Sequence, residues 1–153
     1  MTTDNLANTD NDNQKLANQL CHRFYVIANA ITRKYKPMLD KINLTYPQYV
    51  AMMALWEKDK ITISKLQQKT LIDIGCLSVM LKKMVDKQLI EIITDSTDRR
   101  KKTVKLTTKG KKLKPLAQQE KQKLQAENQP NLTDDEFNQL VVLLDKLKSG
   151  LIE

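Results

Sequence analysis

The sequence predicts a mainly α-helical protein with a small β-hairpin wing, arranged as a winged helix-turn-helix flanked by N- and C-terminal dimerisation helices. Two observations carry this prediction. Long stretches at both ends keep apolar residues at helical spacing, and about 60 residues between them give three helix signals followed by two β-branched runs. Only three glycines and four prolines occur in 153 residues, too few for a turn-rich β architecture.

The N-terminal region divides into a tail and a long helix. Residues 1–13 hold three Asp and four Asn, a composition that predicts a disordered tail. Residues 14–44 form a predicted dimerisation helix that runs to about Lys41. Its apolar positions at helical spacing are Leu16, Leu20, Phe24, Ile27, Ile31, Tyr35 and Met38. A second apolar stripe lies beside the first, so we expect this helix to pack against a partner subunit.

Residues 45–108 form the predicted DNA-binding region. Thr45 and Gln48 are spaced for a capping box that opens a helix ending near Lys58, and Thr62 caps a short helix. A third helix, about 74–88, begins after the N-cap Asp73. Its predicted buried stripe is Leu77, Leu81, Met84 and Val85. Its predicted outward residues are Cys76, Ser78, Val79, Lys82 and Lys83.

A β-hairpin and two more helices complete the prediction. The strands are 90–94 and 103–107, and the charged turn 96–102 joins them. In residues 109–153, a C-terminal dimerisation region, a first helix runs from about Thr108 to Asn128, with Pro115 bending an early turn. Thr133 and Glu136 form a second capping box, and Gly150 ends the last helix. Its apolar positions are Phe137, Leu140, Val141, Leu144 and Leu147.

Positive charge is concentrated in the central region. The net charge is +8, and residues 63–115 hold fourteen Lys or Arg against five acids, a balance of +9. A phosphate-binding surface has this pattern, although composition alone fits a solvated lysine-rich face equally well. With the predicted order of elements, the pattern favours double-stranded DNA: the third helix enters the major groove and the hairpin tip meets phosphates or the minor groove. A two-fold homodimer would read a pseudo-palindromic site.

Other classes find little support in the sequence. No apolar run approaches the roughly 20 residues of a membrane span, and the polar, acidic N-terminus is unlike a signal peptide, which points to the cytoplasm. Cys21 and His22 are adjacent and so diverge by about 100° on a helix, a poor metal chelate. We find no glycine-rich phosphate loop or catalytic triad, so we expect no enzyme activity, cofactor or metal.

The wing residues resemble those of the MarR family of winged-helix regulators. Asp98-Arg99-Arg100 matches the family's D-x-R pattern, and Lys105-Leu106-Thr107 and Lys109-Gly110 follow it. The resemblance covers roughly residues 16–150. It implies that Arg100 enters the minor groove while Asp98 shapes the wing. We expect Ser78 and Val79 to face the bases, and phosphate contacts from Lys82, Lys83, Arg99, Lys101, Lys102 and Lys109.

A narrower resemblance is to the organic-hydroperoxide sensors of that family, the OhrR subgroup. It rests on Leu20-Cys21, on Tyr25, on the stretch from Tyr35 to Asp40 and on the stretch from Leu44 to Tyr49. The resemblance implies that organic hydroperoxide oxidises Cys21, whose sulfur accepts hydrogen bonds from Tyr35 and Tyr46, with Tyr25 nearby. It also implies repression that ends when Cys21 is oxidised.

The spacing of these residues implies a sensor shared by two subunits. Cys21 and Tyr35 lie 14 residues apart on one predicted helix, a separation of about 21 Å. They can meet only if the first helices of two subunits cross. Phenolic donors favour a thiolate, the form that peroxide oxidises to a sulfenic acid.

Three features depart from the subgroup. His22 stands where the subgroup has an aromatic apolar residue, and the outward face from Ile74 to Val79 is more apolar than usual. No cysteine occurs in the C-terminal helices, so a low-molecular-weight thiol would have to complete any disulfide.

Several alternatives stay open on the sequence alone. A small phenolic or lipophilic ligand, bound among the tyrosines, could release the same fold from DNA without oxidation. Two weaker hypotheses are a thiol peroxidase that uses Cys21 and a nucleoid protein that binds DNA with little sequence preference. Cys76 is expected to be incidental, with a minor redox role as its alternative.

Overall fold

The structure is a computed structural model that describes residues 15–128 and 131–152. The predicted tail, 1–13, lies outside these residues. The described chain confirms the mainly α-helical class with a small antiparallel sheet. Its elements are α1 (Leu20–Lys41), α2 (Tyr46–Glu57), β1 (Ile61–Thr62), α3 (Ile63–Thr70), α4 (Ile74–Asp86), β2 (Ile90–Thr94), β3 (Lys102–Leu106), α5 (Thr108–Glu127) and α6 (Asp134–Leu151).

The first helix begins later than the sequence predicted. A 3-10 turn covers Leu16–Asn18, and Gln19 is extended before α1 begins at Leu20. Asn18 is a poor helix former because its side chain competes for backbone hydrogen bonds, which is consistent with a break here. The apolar residues of the following turns are exposed on the protomer, whereas Met38 and Leu39 at the other end are buried. Only the C-terminal part of α1 therefore joins the core.

Side-chain caps fix the starts of the helices. Thr45 and Gln48 form the predicted capping box of α2, and Thr133 and Glu136 form that of α6. The predicted caps of α3 and α4 are also present: Thr62 accepts a hydrogen bond from the backbone N–H of Lys65, and Asp73 accepts two from the start of α4. These caps satisfy backbone N–H groups that have no partner within the helix.

The core lies beneath the helix-turn-helix and the sheet. Its most completely buried large side chains are Met52, Leu55, Leu66, Leu77, Leu81, Met84, Ile90 and Val104. The predicted buried stripe of α4 was wrong at Val85, which is 37% exposed; Met80 is buried instead. Leu77, Met80, Leu81 and Met84 follow the three- and four-residue spacing of a single helix face, and Val85 lies at the edge of that face.

The sheet has three strands in the order β1–β3–β2. The predicted hairpin is present, with Ile90 opposite Leu106 and Thr94 opposite Lys102. The second strand of the hairpin, β3, ends at Leu106 and not at Thr107 as predicted. Thr107 is instead the N-cap of α5, because its side chain accepts a hydrogen bond from the Gly110 backbone N–H. Strand β1, which pairs Ile61 with Val104, was not predicted.

The two C-terminal helices differ in how they meet the rest of the protomer. Helix α5 continues through Pro115 and buries Ala117 and Glu120, and the Glu120 carboxylate pairs with Lys41 of α1 at 2.6 Å. Helix α6 buries none of its residues. It continues through Gly150 to Leu151, contrary to the prediction, because Gly150 does not adopt the positive φ of a terminating glycine. Across the described residues, no helix has the length and apolar character of a membrane span.

Candidate nucleic-acid interface and sensor region

The outer face of α4 carries the predicted base-contacting residues. Leu71 ends α3 in the left-handed conformation, with φ at 55°, and Asp73 then caps α4 by accepting from the backbone N–H groups of Gly75 and Cys76. This turn presents α4 with Leu77 inward. The predicted outward residues Ser78, Val79, Lys82 and Lys83 are all exposed.

The turn of the wing is held by two aspartates. Asp95 Oδ1 accepts hydrogen bonds from the Thr97 hydroxyl at 2.6 Å and from the backbone N–H groups of Thr97 and Asp98. These bonds, the Thr97 hydroxyl foremost, lower the pKa of Asp95 to about 2. Asp98 Oδ1 accepts from the backbone N–H of Arg100 at 3.0 Å. Asp98 thus holds the backbone of Arg100, whose side chain is exposed.

An open, positively charged groove lies between the wing and the helices α3 and α4. Its volume is about 750 Å³. Its lining residues are Thr62, Ile63, Ser64, Gln67, Ile74, Ser78, Arg99, Arg100, Lys101 and Lys102. Four consecutive cations of the wing therefore share one groove with Ser78 of α4, the recognition helix that is predicted to enter the major groove. Val79, Lys82 and Lys83 lie outside this groove.

Asp59 anchors the wing to the helical core, a role that sequence reasoning missed. Its Oδ1 accepts from the backbone N–H of Leu106 in β3 at 2.8 Å, and its Oδ2 lies 3.4 Å from Lys111 Nζ. Burial acts to raise the pKa of Asp59, but the hydrogen bonds from Leu106 and Lys60 and the ion pair with Lys111 outweigh it, so the pKa lies below its ordinary value. The hydrogen bond from Leu106 to Asp59 adds one link between β3 and the segment that leads into β1, next to the two residue pairs that join β1 to β3.

Two of the predicted sensor tyrosines are in contact. The rings of Tyr35 and Tyr46 are edge to face with centroids 5.5 Å apart. Tyr49, which the sequence analysis did not single out, is buried beside Tyr35 at 6.3 Å and also contacts Trp56. Burial, followed by the neighbouring Tyr46, raises the pKa of Tyr35. At neutral pH, Tyr35 therefore keeps its proton and is a hydrogen-bond donor.

Cys21 and Tyr25 lie away from this tyrosine pair within the protomer. Both are exposed, Tyr25 by 68%, near the start of α1. Because Cys21 and Tyr35 belong to the same uninterrupted helix, about 21 Å separates them. The protomer thus brings Tyr35 and Tyr46 together but leaves Cys21 and Tyr25 apart from them, on a helix end whose apolar side chains have no cover.

The second cysteine lines a different cleft. Cys76 is exposed at the start of α4 and borders an apolar groove of about 560 Å³ between α2 and α4. The groove also includes Pro47, Ile72, Val79 and Met80.

Comparison with known proteins assigns the family. The MarR family model matches residues 44–102. The organic hydroperoxide resistance transcriptional regulator of Bacillus subtilis is 42% identical over 106 residues, which cover 69% of this chain and 72% of the relative. The chain belongs to the MarR family. MarR proteins of this kind are transcription regulators and not enzymes, in agreement with the sequence analysis.

Solved structures agree with the assignment. A mutant of MarR from Escherichia coli, complexed with operator DNA, superposes with a TM-score of 0.76 at 29% identity and covers 84% of this chain and 92% of the other. Reduced AbfR bound to DNA has a TM-score of 0.77 at 23% identity and covers 95% and 99%; AbfR is a protein of Staphylococcus epidermidis. At that identity, the AbfR match supports the fold alone.

Proposed function

We propose that this MarR-family regulator is a homodimeric, redox-sensing repressor that binds a pseudo-palindromic operator and is released when organic hydroperoxide oxidises Cys21. The observation that carries the proposal is the edge-to-face contact between the phenol rings of Tyr35, in the C-terminal half of α1, and Tyr46, at the start of α2. The exposed Cys21 lies at the N-terminal end of α1. A crossing of two α1 helices would bring each thiol to the phenols of the other subunit.

The DNA-binding part of the proposal is supported by charge and by relatives. The wing holds Arg99, Arg100, Lys101 and Lys102 along one open groove that also includes the exposed recognition-helix residue Ser78. Cationic side chains of this kind bind phosphates, and exposed helix residues read base edges in the major groove. The Escherichia coli MarR structure that shares this fold is a complex with operator DNA.

The redox step follows ordinary thiol chemistry. The Cys21 thiolate attacks the distal oxygen of the hydroperoxide, so that an S–O bond forms and the O–O bond breaks. The sulfur loses two electrons, the peroxide is reduced, and the departing alkoxide takes a proton to become an alcohol. The resulting sulfenic acid condenses with a low-molecular-weight thiol, releasing water and leaving a mixed disulfide at the subunit interface. The added bulk changes the packing that sets the half-site spacing.

Fluorescence anisotropy tests the proposal. Labelled DNA from upstream of the protein's own gene is titrated with wild type and with Cys21→Ser, with and without cumene hydroperoxide and glutathione, and dithiothreitol is then added. We expect peroxide to release the wild type alone and dithiothreitol to restore binding. Cys76→Ser is the matched control and should respond as the wild type does. Release of both the wild type and Cys21→Ser, or of neither, would remove Cys21 from the mechanism.

A second candidate function is release by a small phenolic or lipophilic ligand. The observation that favours it is the apolar groove between α2 and α4, which borders the exposed residues Cys76 and Val79 of the recognition helix. A ligand bound there would sit beside the face that we propose to enter the DNA. In this case salicylate should release wild type and Cys21→Ser equally, and dithiothreitol should not reverse the release.

A further inference from the structure

The outermost part of α4 is apolar at a position where a DNA-binding helix meets bases. With about 100° between successive residues, Gly75, Val79 and Lys82 lie on the side of α4 opposite the buried stripe of Leu77 and Leu81. Val79 is 60% exposed. Val79 also borders the apolar groove between α2 and α4, so its exposed surface lies where the outer face of α4 meets that groove.

The neighbours of Val79 determine how closely a partner can approach it. Gly75 lies one turn before Val79 on the same side of the helix. Because glycine has no side chain, it does not shield the valine from a partner. Lys82 and Lys83 follow within the next turn and are exposed. Their flexible cationic side chains can bind phosphates on either side of a groove while Val79 faces its floor. Charge complementarity therefore favours DNA as the partner of this face over an apolar protein surface.

Among the groups exposed in the major groove, the thymine C5-methyl is the apolar one. A valine side chain has no hydrogen-bond donor or acceptor, so it can favour a base only by covering apolar surface. We infer that Val79 is a specificity-determining residue that packs against a thymine methyl in each operator half-site. This inference rests on the proposed function, since it names the base feature that the same DNA-binding face reads.

The inference leads to a measurable dependence on one methyl group. Covering a methyl-sized group contributes about 0.8 kcal/mol, which corresponds to about a fourfold change in affinity. Replacing the contacted thymine by uracil removes only that methyl and keeps the base pair. We therefore expect about a fourfold loss for each contacted half-site in the wild type.

The experiment begins with selection of duplexes from a randomised pool by full-length wild-type protein. The tightest duplex is resynthesised with uracil at each symmetry-related pair of thymines, and its dissociation constant is measured by fluorescence anisotropy. Val79→Ser is the test variant, and Val85→Ser is its matched control. Val85 is an exposed valine on the same helix but at the edge of the buried face. Circular dichroism checks that both variants are folded.

We expect one pair of thymines whose replacement weakens the wild type and Val85→Ser by about fourfold per half-site but leaves Val79→Ser unchanged. Absence of such a pair, or an equal loss in Val79→Ser, would overturn the inference while tight binding to the selected duplex would leave the proposed function standing. Failure to enrich any duplex would overturn both.

Discussion

Gly110 allows α5 to lie close against Leu89, the residue just before β2. A methyl group added to its Cα would lie 2.1 Å from the backbone carbonyl oxygen of Leu89. The Gly110 carbonyl also accepts a 3.0 Å hydrogen bond from the Trp56 indole N–H. The close contact with Leu89 holds α5 against the sheet, and the hydrogen bond from Trp56 holds it against α2. Because the added methyl would meet backbone atoms, a rotamer change cannot relieve the clash.

We predict that Gly110→Ala lowers the free energy of unfolding by about 1–3 kcal/mol, the usual cost of overpacking a close contact. Gly150→Ala is the control, because nothing lies within 4 Å of the added methyl and alanine is the better helix former. It should leave stability unchanged or raise it. Urea unfolding at one protein concentration measures both variants. Equal stability of Gly110→Ala and wild type would show that the Leu89 segment moves freely.

Asp95 makes the wing sensitive to acid. Its folded pKa of about 2 lies below the ordinary 3.8, chiefly because the Thr97 hydroxyl donates to the carboxylate. A carboxyl group whose pKa is lowered by folding stabilises the folded form above its unfolded pKa and loses that effect as the pH falls toward the folded pKa. The contribution of Asp95 to wing order is therefore complete above about pH 4 and disappears toward pH 2.

We predict that the Asp95 carboxyl carbon titrates with a midpoint near pH 2 in a carbon-13 NMR experiment. Thr97→Val removes the hydroxyl donor but keeps the backbone N–H groups, so its midpoint should rise toward 3.8. Amide exchange of Thr97 and Asp98 should quicken over the same pH range. A wild-type midpoint at 3.8 would mean that the hydrogen-bonded turn is not formed in solution.

The wing depends on a side chain that bridges two elements. Asp59, between α2 and β1, accepts from the backbone N–H of Leu106 in β3. Leu106 is buried, so removal of its acceptor leaves a donor without a partner. Such a group costs about 1–3 kcal/mol, and this cost falls on the contact that holds β3 of the wing to the segment between α2 and β1.

We predict that Asp59→Ala lowers the free energy of unfolding by about 1–3 kcal/mol and weakens operator binding because the wing is displaced. Asp59→Asn keeps an acceptor oxygen but loses the ion pair with Lys111, which is an exposed lysine at 3.4 Å. Most of the stability should therefore be retained in Asp59→Asn. Equally large losses in both variants would show that charge, and not the hydrogen bond to Leu106, holds the wing.

Local elements were predicted from the sequence because their causes are local. The capping pairs Thr45–Gln48 and Thr133–Glu136 each lie within four residues, and the structure confirms both. Strand β1 was missed because its two residues become a strand only by pairing with Val104 and Thr103, about 40 residues later. Propensity within two residues carries no information about such a partner.

The same distinction applies to the candidate site. The resemblance of the wing and the first helix indicated Arg100, Cys21 and Tyr35. Helix α1 places Cys21 and Tyr35, and the turn of the wing places Arg100. Tyr49 was not singled out because its role depends on packing between α1 and α2, where it contacts Tyr35. Asp59 was likewise missed, since the partner that defines it belongs to β3.

The protomer exposes many apolar side chains on its first and last helices, α1 and α6. Helix α6 buries none of its residues, and the N-terminal turns of α1 expose Leu20, Phe24, Ile27 and Ile31. Contiguous exposed apolar surface of this kind marks an interface. A second copy of the chain is the partner proposed above, and it is also what would bring Cys21 within reach of Tyr35.

Subunit complementation provides a test of this arrangement. In a heterodimer of Cys21→Ser and Tyr35→Phe chains, a sensor shared between subunits has one intact site, because the remaining Cys21 faces the remaining Tyr35. A sensor built within one chain would have none. The heterodimer is formed by co-expression with two affinity tags and purified on both, and the rate of Cys21 oxidation by cumene hydroperoxide is measured by mass spectrometry.

We predict that Cys21 of the heterodimer is oxidised at the wild-type rate, whereas Cys21 in the Tyr35→Phe homodimer is oxidised more slowly, since it lacks a phenolic donor that favours the thiolate. The two proteins carry the same cysteine in the same mutant chain and differ only in the subunit opposite. A faster rate in the heterodimer therefore requires that Tyr35 acts across the interface. Identical slow rates would place Tyr35 in its own subunit's site or outside the sensor, and the redox proposal would then need a geometry other than crossed α1 helices.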